Sequence, residues 1–219
     1  MSLIALYDNV RKVIYLLLST GTAEIVLLTL AVVLGMPLPL LPVQLLWLNL
    51  ITNGIQDVAL AFEPSEGDVL NRKPRKPYEP IFNRLMIERT VIAALVMGFV
   101  GFFFFVTLLR SGLSESSARN ALLLLMVLFE NIHIVNCRSE TKSAFSMSIF
   151  RSPILIYGVT GAFLIHVLSM YLPLGHKFLR TEAVDLSFWM MAFGCSLSIL
   201  VVMEIHKLFW KYRYPPNQQ

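Results

Sequence analysis

A line of oxygen-bearing side chains runs through an otherwise apolar stretch, residues 42–62. The spacing i, i+3, i+4, i+7, i+8 places these side chains on one face of a helix. They are Asn49, Thr52, Asn53, Gln56 and Asp57. An ionised Asp in hydrocarbon costs about 2.5 to 3.5 kcal/mol, and unpaired amides are also penalised. This face must therefore turn toward other helices, water or a bound cation.

Two interpretations of this polar face remain open. It could hold helices together through hydrogen bonds, or it could bind a cation. Gly54 predicts a weak point in the middle of the face. A helix opened there would offer backbone carbonyls as further ligands.

Composition indicates an integral membrane protein. Of the 219 residues, 56% are apolar and only 15% are charged, and the mean hydropathy of +0.68 exceeds that of ordinary soluble domains. The net charge of +4 does not indicate a nucleic-acid partner, because the basic residues are not gathered on an aromatic-interleaved face. The expected partner is the lipid bilayer.

Apolar runs long enough to cross about 30 Å of hydrocarbon predict an all-α fold of six transmembrane helices. We expect a lead at 1–12, a six-helix transmembrane domain at 13–210 with a polar loop at 63–85, and a tail at 211–219. The predicted spans are 13–36, 42–62, 86–109, 120–137, 153–172 and 188–210.

The distribution of basic residues predicts the orientation. Fourteen of the 18 Lys and Arg residues lie in the lead, in 63–89, in 138–152 and near the C-terminus. The other four are Arg110, Arg119, Lys177 and Arg180, on the opposite side. Both termini and the 63–85 loop are therefore expected in the cytoplasm.

Three predicted spans carry carboxylates that we expect to be buried: Glu24, Asp57 and Glu130. No Lys or Arg is predicted deep in any span to neutralise them, so a cation or bound protons must do so. Oxygen ligands suit Ca²⁺, Na⁺, K⁺ or Mg²⁺ better than soft metals. His133, one turn from Glu130, is either a hydrogen-bonded structural residue or a proton carrier.

Several stretches closely resemble the P-type cation-transporting ATPases of the calcium-pump and sodium-pump branch. The most specific is 42–52 (Pro-Val-Gln-Leu-Leu-Trp-Leu-Asn-Leu-Ile-Thr), followed by 59–64 and 68–75. Residues 7–11 and 19–24 are similar to the preceding helix of those pumps, and Glu130 with 136–140 is similar to their eighth. The resemblance covers nearly the whole chain. It implies the last six of ten membrane helices.

The resemblance also implies a site. Glu24, Asn49, Thr52, Asn53 and Glu130 fall where the cation ligands of the family fall. The sequence departs from the calcium pumps at four places: Gly21 replaces a ligating Asn, Asn53 replaces an Asp, Gln56-Asp57 replaces a Pro-Ala pair, and His133 replaces a polar amide. Asp57, one turn from Asn53, is the candidate to restore a negative charge. The expected ion is Ca²⁺ or another hard cation, with Na⁺, K⁺ and H⁺ unresolved.

The phosphorylation motif, nucleotide-binding domain, actuator domain and first four helices of those pumps are absent from these residues. We therefore expect a C-terminal fragment of an ion-translocating ATP hydrolase in a plasma or inner membrane. Mg²⁺ and ATP would act only through the missing domains, its expected partners, and the chain alone should not hydrolyse ATP. The alternative is a free-standing cation carrier or channel, which an internal repeat would favour; none is visible between 1–110 and 111–219.

Overall fold

The structure is a computed structural model that describes residues 3–64 and 81–214. The central part of the predicted loop, 65–80, and the last five residues of the predicted tail lie outside the described residues. The described part is all-helical, as predicted. Its helices are α1 (Leu3–Val33), α2 (Pro42–Trp47), α3 (Asn53–Ala61), α4 (Arg84–Arg110), α5 (Glu115–Cys137), α6 (Pro153–Tyr171), α7 (Pro173–Phe178) and α8 (Leu186–Arg213).

Five helices of the described part, α1, α4, α5, α6 and α8, are long and apolar enough to cross a membrane. The remaining predicted span, 42–62, is divided into three. Helices α2 and α3 are joined end to end by a π-helical segment, Leu48–Thr52. Together these twenty residues, 42–61, extend roughly 30 Å at about 1.5 Å per residue, which is enough to span the hydrocarbon.

The break predicted at Gly54 is therefore misplaced. Gly54 lies inside α3, and the irregular turn precedes it. In this turn the Asn53 N–H bonds to the Leu48 carbonyl, five residues back rather than four. One extra residue in a turn rotates the side chains that follow, which is why such π turns are common at functional sites.

Local signals place the helix starts. Asn83 accepts a hydrogen bond from the Met86 N–H at 2.9 Å, and Ser114 accepts one from the Ser117 N–H at 3.1 Å, so both cap their helices. Proline occupies the first position of α2, α6 and α7, where its missing N–H costs nothing. The caps Asn83 and Ser114 set the starts of α4 and α5 slightly earlier than hydropathy predicts.

Helix α5 is the centre of the bundle. Its residues from 120 to 130 are all buried, and it packs against α4, α8, α1 and α6. Helix α1 lies along α4, where a Cβ added to Gly98 would come within 2.7 Å of Val26. Small residues allow such close helix approach in membranes, where van der Waals packing holds helices together. The outward faces carry exposed Leu, Ile, Val and Phe side chains suited to lipid.

One end of the bundle is held by a buried and a half-buried ion pair and is called here the basic end. Arg138 Nε lies 2.8 Å from Glu63 Oε1, with side chains only 1% and 0% exposed. Arg11 Nε lies 2.9 Å from Glu140 Oε1. These pairs join α1 and the end of α3 to the segment that follows α5.

Arg89 corrects a sequence-based expectation. The count of basic residues groups it with the cytoplasmic segment 63–89, at the start of the predicted span 86–109, but it lies inside α4 and is buried. Its Nη2 donates to the carbonyl oxygens of Asn136 at 3.0 Å and Ser139 at 3.2 Å. A cation at the carboxyl end of α5 satisfies carbonyls that the helix leaves unpaired. A buried cation is thus present in the bundle, although it binds backbone oxygens.

Replacing Glu63 with Gln should strongly destabilise the protein, because it leaves the buried Arg138 charge uncompensated. Breaking such a pair costs about 3 to 5 kcal/mol. Glu115→Gln is the matched control, since Glu115 pairs with Arg119 at 2.6 Å on the exposed surface and such pairs contribute about 0 to 1 kcal/mol. Thermal unfolding of the purified protein in detergent measures both. Equal shifts in melting temperature would contradict a structural role for the buried pair.

Candidate functional site

The predicted ligand residues come from three parts of the bundle. Glu24 is in the second half of α1, and Glu130 is in α5. The others lie in the π-helical segment or in α3. Helix α1 packs on α3 and α5, and α5 contacts both α3 and the π-helical segment. The polar line of residues 49–57 therefore faces the junction of α1 and α5.

The first cross-helix contact joins α1 to the π-helical segment. Asn49 Nδ2 donates to Glu24 Oε2 at 2.7 Å and to the Leu45 carbonyl oxygen at 3.0 Å. Glu24 is 7% exposed, whereas Asn49 is an exposed residue. Asn49 thus orients one oxygen of the Glu24 carboxyl group, and the other oxygen, Oε1, is left without a partner in the described part.

The second contact joins the same segment to α5. Thr52 Oγ1 lies 2.5 Å from Glu130 Oε2 and 2.8 Å from the Leu48 carbonyl oxygen. Thr52 and Glu130 are both buried. Asn49 and Thr52, three residues apart across the π turn, therefore bind carboxyl groups on two different helices. The segment bridges α1 and α5 at the level of the predicted site.

Two amides are oriented by partners that sequence reasoning missed. Asn53 Nδ2 donates to Thr20 Oγ1 at 3.0 Å, and Gln56 Nε2 donates to Asn131 Oδ1 at 2.7 Å. Because their N–H groups are occupied by α1 and α5, the amide oxygens are left facing away from these partners. Only weak sequence signals point to these two partners: Thr20 is one turn before Glu24, and Asn131 adjoins Glu130.

The site is rich in oxygen atoms that accept hydrogen bonds and have no donor. Within the described residues, one buried oxygen of each of five side chains is unpaired: Glu24 Oε1, Asn53 Oδ1, Gln56 Oε1, Asp57 Oδ1 and Glu130 Oε1. Buried polar atoms normally have partners, so a group of unpaired acceptors indicates a missing donor or cation.

The carboxyl groups alone do not form a metal cluster. No three His, Cys, Asp or Glu side chains among residues 3–64 and 81–214 are close enough to hold a metal ion together. An ion at this junction would therefore need the neutral amide and hydroxyl oxygens as well, which suits the oxygen coordination of hard cations.

His133 lies one turn closer to the basic end than Glu130 does. Its Nε2 is 2.9 Å from Ser19 Oγ, and Tyr15 packs against it edge-on with ring centroids 5.2 Å apart. The Ser19 hydroxyl also lies 2.7 Å from the Tyr15 carbonyl oxygen and 3.0 Å from the Leu16 carbonyl oxygen of its own helix. His133 is thus a hydrogen-bonded, packed residue, and a role as proton carrier stays a prediction.

The fold defines an all-helical integral membrane protein whose buried polar junction is lined by oxygens. Residues 37–209 match the family model described as "Cation transporting ATPase, C-terminus". This match covers most of the chain, and the chain belongs to that family, as the C-terminal membrane region of P-type ATPases. The recognition made from residues 42–75 is thereby confirmed.

The relatives of this chain are much longer proteins than the chain itself. It is 35% identical to a calcium-transporting ATPase of Bacillus subtilis over 192 residues, 87% of this chain and 22% of the relative. It is 31% identical to mouse calcium-transporting ATPase type 2C member 2 over 216 residues, 97% of this chain and 23% of that one. A probable cation-transporting ATPase F of Mycobacterium tuberculosis is 30% identical over 210 residues, 96% of this chain and 23% of the relative. The chain thus spans less than a quarter of the length of these relatives.

Thr52→Val should destabilise the junction, because it removes the hydroxyl beside Glu130 while keeping nearly the same shape. Loss of a hydrogen bond to a buried polar group costs about 1 to 3 kcal/mol. Thr107→Val is the matched control: the Thr107 hydroxyl bonds the Phe103 carbonyl four residues back, as Thr52 bonds Leu48, but it is exposed. Thermal unfolding compares the two, and equal melting temperatures would show that the contact with Glu130 contributes nothing.

Proposed function

We propose that this chain is the cation-carrying membrane region of an ATP-driven pump, and that the junction of α1, α3 and α5 binds the transported ion. The observation that carries the proposal is the group of five unpaired, buried acceptor oxygens contributed by all three helices. A hydrogen-bonded helix contact would pair its acceptors. Membership of the cation-transporting ATPase family favours a pump over a free-standing carrier or channel.

The proposed ion is Ca²⁺. Its direct ligands would be Glu24, Asn53 and Glu130, with Asn49 and Thr52 orienting the two glutamates and supplying neutral oxygens. Asp57 would add negative charge beside the ion without contacting it directly. Ca²⁺ takes six to eight oxygens and tolerates irregular geometry. Two of the relatives bear the name calcium-transporting ATPase. Gly21 supplies no side chain to the site, so a single ion of this kind is proposed; Na⁺, K⁺ and H⁺ are the alternatives that ion titrations separate.

Helix α1 is the proposed mechanical link. It is unbroken from Leu3 to Val33 and carries both Arg11, at the basic end, and Glu24, at the site. Thirteen residues of helix separate the two, roughly 20 Å at 1.5 Å per residue. A displacement of α1 at the basic end would therefore move Glu24 relative to Glu130. ATP and Mg²⁺ would act through the rest of the pump, its partners at that end.

The basic end is proposed to face the cytoplasm, with the lead 1–12, the loop 63–85 and the tail 211–219 on that side, in a plasma or inner membrane. Contacts between the basic segments support this: Arg11 pairs with Glu140, and His206 Nε2 lies 3.9 Å from Glu88 Oε2. An excess of Lys and Arg marks the cytoplasmic side of membrane proteins.

The variant Ser148→Cys should react with an impermeant thiol reagent only from the cytoplasmic side, and Ser116→Cys only from the other side. Both serines are exposed; Ser116 lies in the first turn of α5, and Ser148 lies in the segment that follows its other end. Cys137 and Cys195 are first replaced by Ala to remove background labelling. Intact cells and inverted vesicles give the two directions. Labelling of the Ser148→Cys variant from outside intact cells would invert the proposed orientation.

Glu24→Gln in the complete pump should weaken cation-activated phosphorylation by at least tenfold, because a charge-assisted ligand is worth about 1.5 to 3 kcal/mol. The exposed carboxylate of Glu182, outside the junction, supplies the control Glu182→Gln, which should leave cation affinity unchanged. Titrations with Ca²⁺, Na⁺ and K⁺ identify the ion. Unchanged affinity in the Glu24 variant would remove Glu24 from the site.

Asp57→Asn tests whether Asp57 supplies the charge that Asn53 lacks. A loss of Ca²⁺ affinity comparable with that of Glu24→Gln is expected. An unchanged affinity would assign Asp57 a structural or gating role and leave a site with one charge fewer, which favours a monovalent ion. The same phosphorylation assay measures both variants.

A further inference from the structure

A polar cavity lies at the end of the bundle opposite the basic end, between the start of α5 and the segment that precedes α8. It has a volume of about 430 Å³ and is called here the outer cavity. Its polar wall residues are Ser117, Asn120, Glu182 and Asp185. It shares no residue with the junction of α1, α3 and α5, and the proposed pump function assigns it no role.

The charges of the outer cavity favour a cation. Two carboxylates, Glu182 and Asp185, line it together with neutral residues, and neither forms an ion pair with another residue of the described ranges. Glu182 Oε1 accepts a hydrogen bond only from the Ser116 hydroxyl, at 3.2 Å. Both carboxylates are exposed, so ions from water can reach them. Their two charges outweigh the positive end of the α8 dipole, which amounts to roughly half an elementary charge.

Asp185 is not used as a helix cap. It directly precedes α8, at the position where an Asp side chain normally accepts a hydrogen bond from a backbone N–H of the first turn. In this structure its side chain makes no such bond. The carboxylate is therefore free to bind a ligand in the outer cavity.

Asn120 supplies an independent sign of a ligand. Its side chain is only 1% exposed, and its Nδ2 donates a hydrogen bond to the backbone carbonyl oxygen of Glu182. The amide group is thus held against the segment that carries both carboxylates. Its oxygen, Oδ1, is buried and has no donor among the described residues.

A buried amide oxygen normally has a partner, so the unpaired Oδ1 of Asn120 calls for one. A water molecule would satisfy this oxygen but would leave the two carboxylates without a neutralising charge. A cation satisfies all three groups at once. Carboxylate and amide oxygens are the ligands that hard cations prefer.

We propose that the outer cavity binds a Ca²⁺ ion through Glu182, Asp185 and Asn120 Oδ1, with water completing the coordination shell. Ca²⁺ accepts six to eight oxygens in irregular geometry, and sites of this kind on extracellular modules have dissociation constants of about 0.1 to 1 mM. The ion joins α5 to the segment before α8. It is a second ion, distinct from the one proposed for the junction.

Terbium luminescence tests the proposal. Tb³⁺ binds the same oxygen ligands as Ca²⁺ and emits light when a nearby tryptophan is excited. Phe188 lines the outer cavity, so the Phe188→Trp variant places a tryptophan at its wall. The complete polypeptide that carries this variant is reconstituted in phosphatidylcholine vesicles. The same polypeptide without the substitution gives the background from the other tryptophans.

The Phe188→Trp protein should show saturable Tb³⁺ emission that millimolar Ca²⁺ displaces. Adding Glu182→Gln and Asp185→Asn should weaken Tb³⁺ binding by about tenfold or more, because each change removes a charge-assisted ligand. Both positions are exposed, where substitutions have little effect on folding.

The matched control is Glu115→Gln, which removes a carboxylate at the same end of the bundle that is already paired with Arg119. This variant should bind Tb³⁺ as the Phe188→Trp protein does. Equal binding by the control and by the variant with both outer-cavity changes would overturn the proposal, as would emission that millimolar Ca²⁺ does not displace.

A further variant separates the outer cavity from the junction. Glu24→Gln in the Phe188→Trp protein should leave the emission unchanged, and a loss of emission would place Tb³⁺ at the junction and contradict the outer site. Glu182→Gln should still leave cation-activated phosphorylation unchanged, because Glu182 is outside the junction. The emission does not depend on transport, so failure of the proposed pump function and failure of the outer site are distinguishable.

Discussion

The cost of keeping carboxyl oxygens inside a bilayer is the constraint on which this structure depends. Glu24 and Glu130 lie on helices far apart in sequence, and each finds one neutral partner, Asn49 or Thr52, in the same π-helical segment. Neither partner satisfies the second carboxyl oxygen. The hydrogen bonds thus hold the helices together, but the remaining carboxyl oxygens still need a positive charge nearby. The proposed source of that charge is a transported cation.

The polar groups at the basic end and those at the junction are partnered in different ways. At the basic end, charge is neutralised within the protein, as the buried pair of Arg138 and Glu63 shows. At the junction, the amides donate to neighbouring helices and leave their oxygens unpaired. The basic end is thus held by paired charges, whereas the junction keeps unpaired oxygens. This combination suits a protein in which movements of helices at one end reach a site that must bind and release its ligand. Helix α1 runs through both regions without a break.

Much of the fold could be predicted because hydrophobic runs, prolines and caps act locally along the chain. The candidate site residues could be identified because polar atoms in apolar spans are costly and their helical spacing is visible. The π turn could not be predicted, because the amino-acid composition of Leu48–Thr52 does not differ from that of an ordinary α-helix. Cross-helix partners such as Thr20 and Asn131 depend on packing between distant segments. The burial of Arg89 could not be predicted either, because the count of basic residues groups it with the cytoplasmic segment, whereas it is buried against the end of α5.

The central claim is that one cation occupies the junction of α1, α3 and α5. A cryo-EM structure of the complete polypeptide at saturating Ca²⁺ tests it most directly. Ion density is expected about 2.3 to 2.6 Å from oxygens of Glu24, Asn53 and Glu130, the ordinary range for calcium ligands. Density bound elsewhere, with these oxygens paired to protein donors, would contradict the claim.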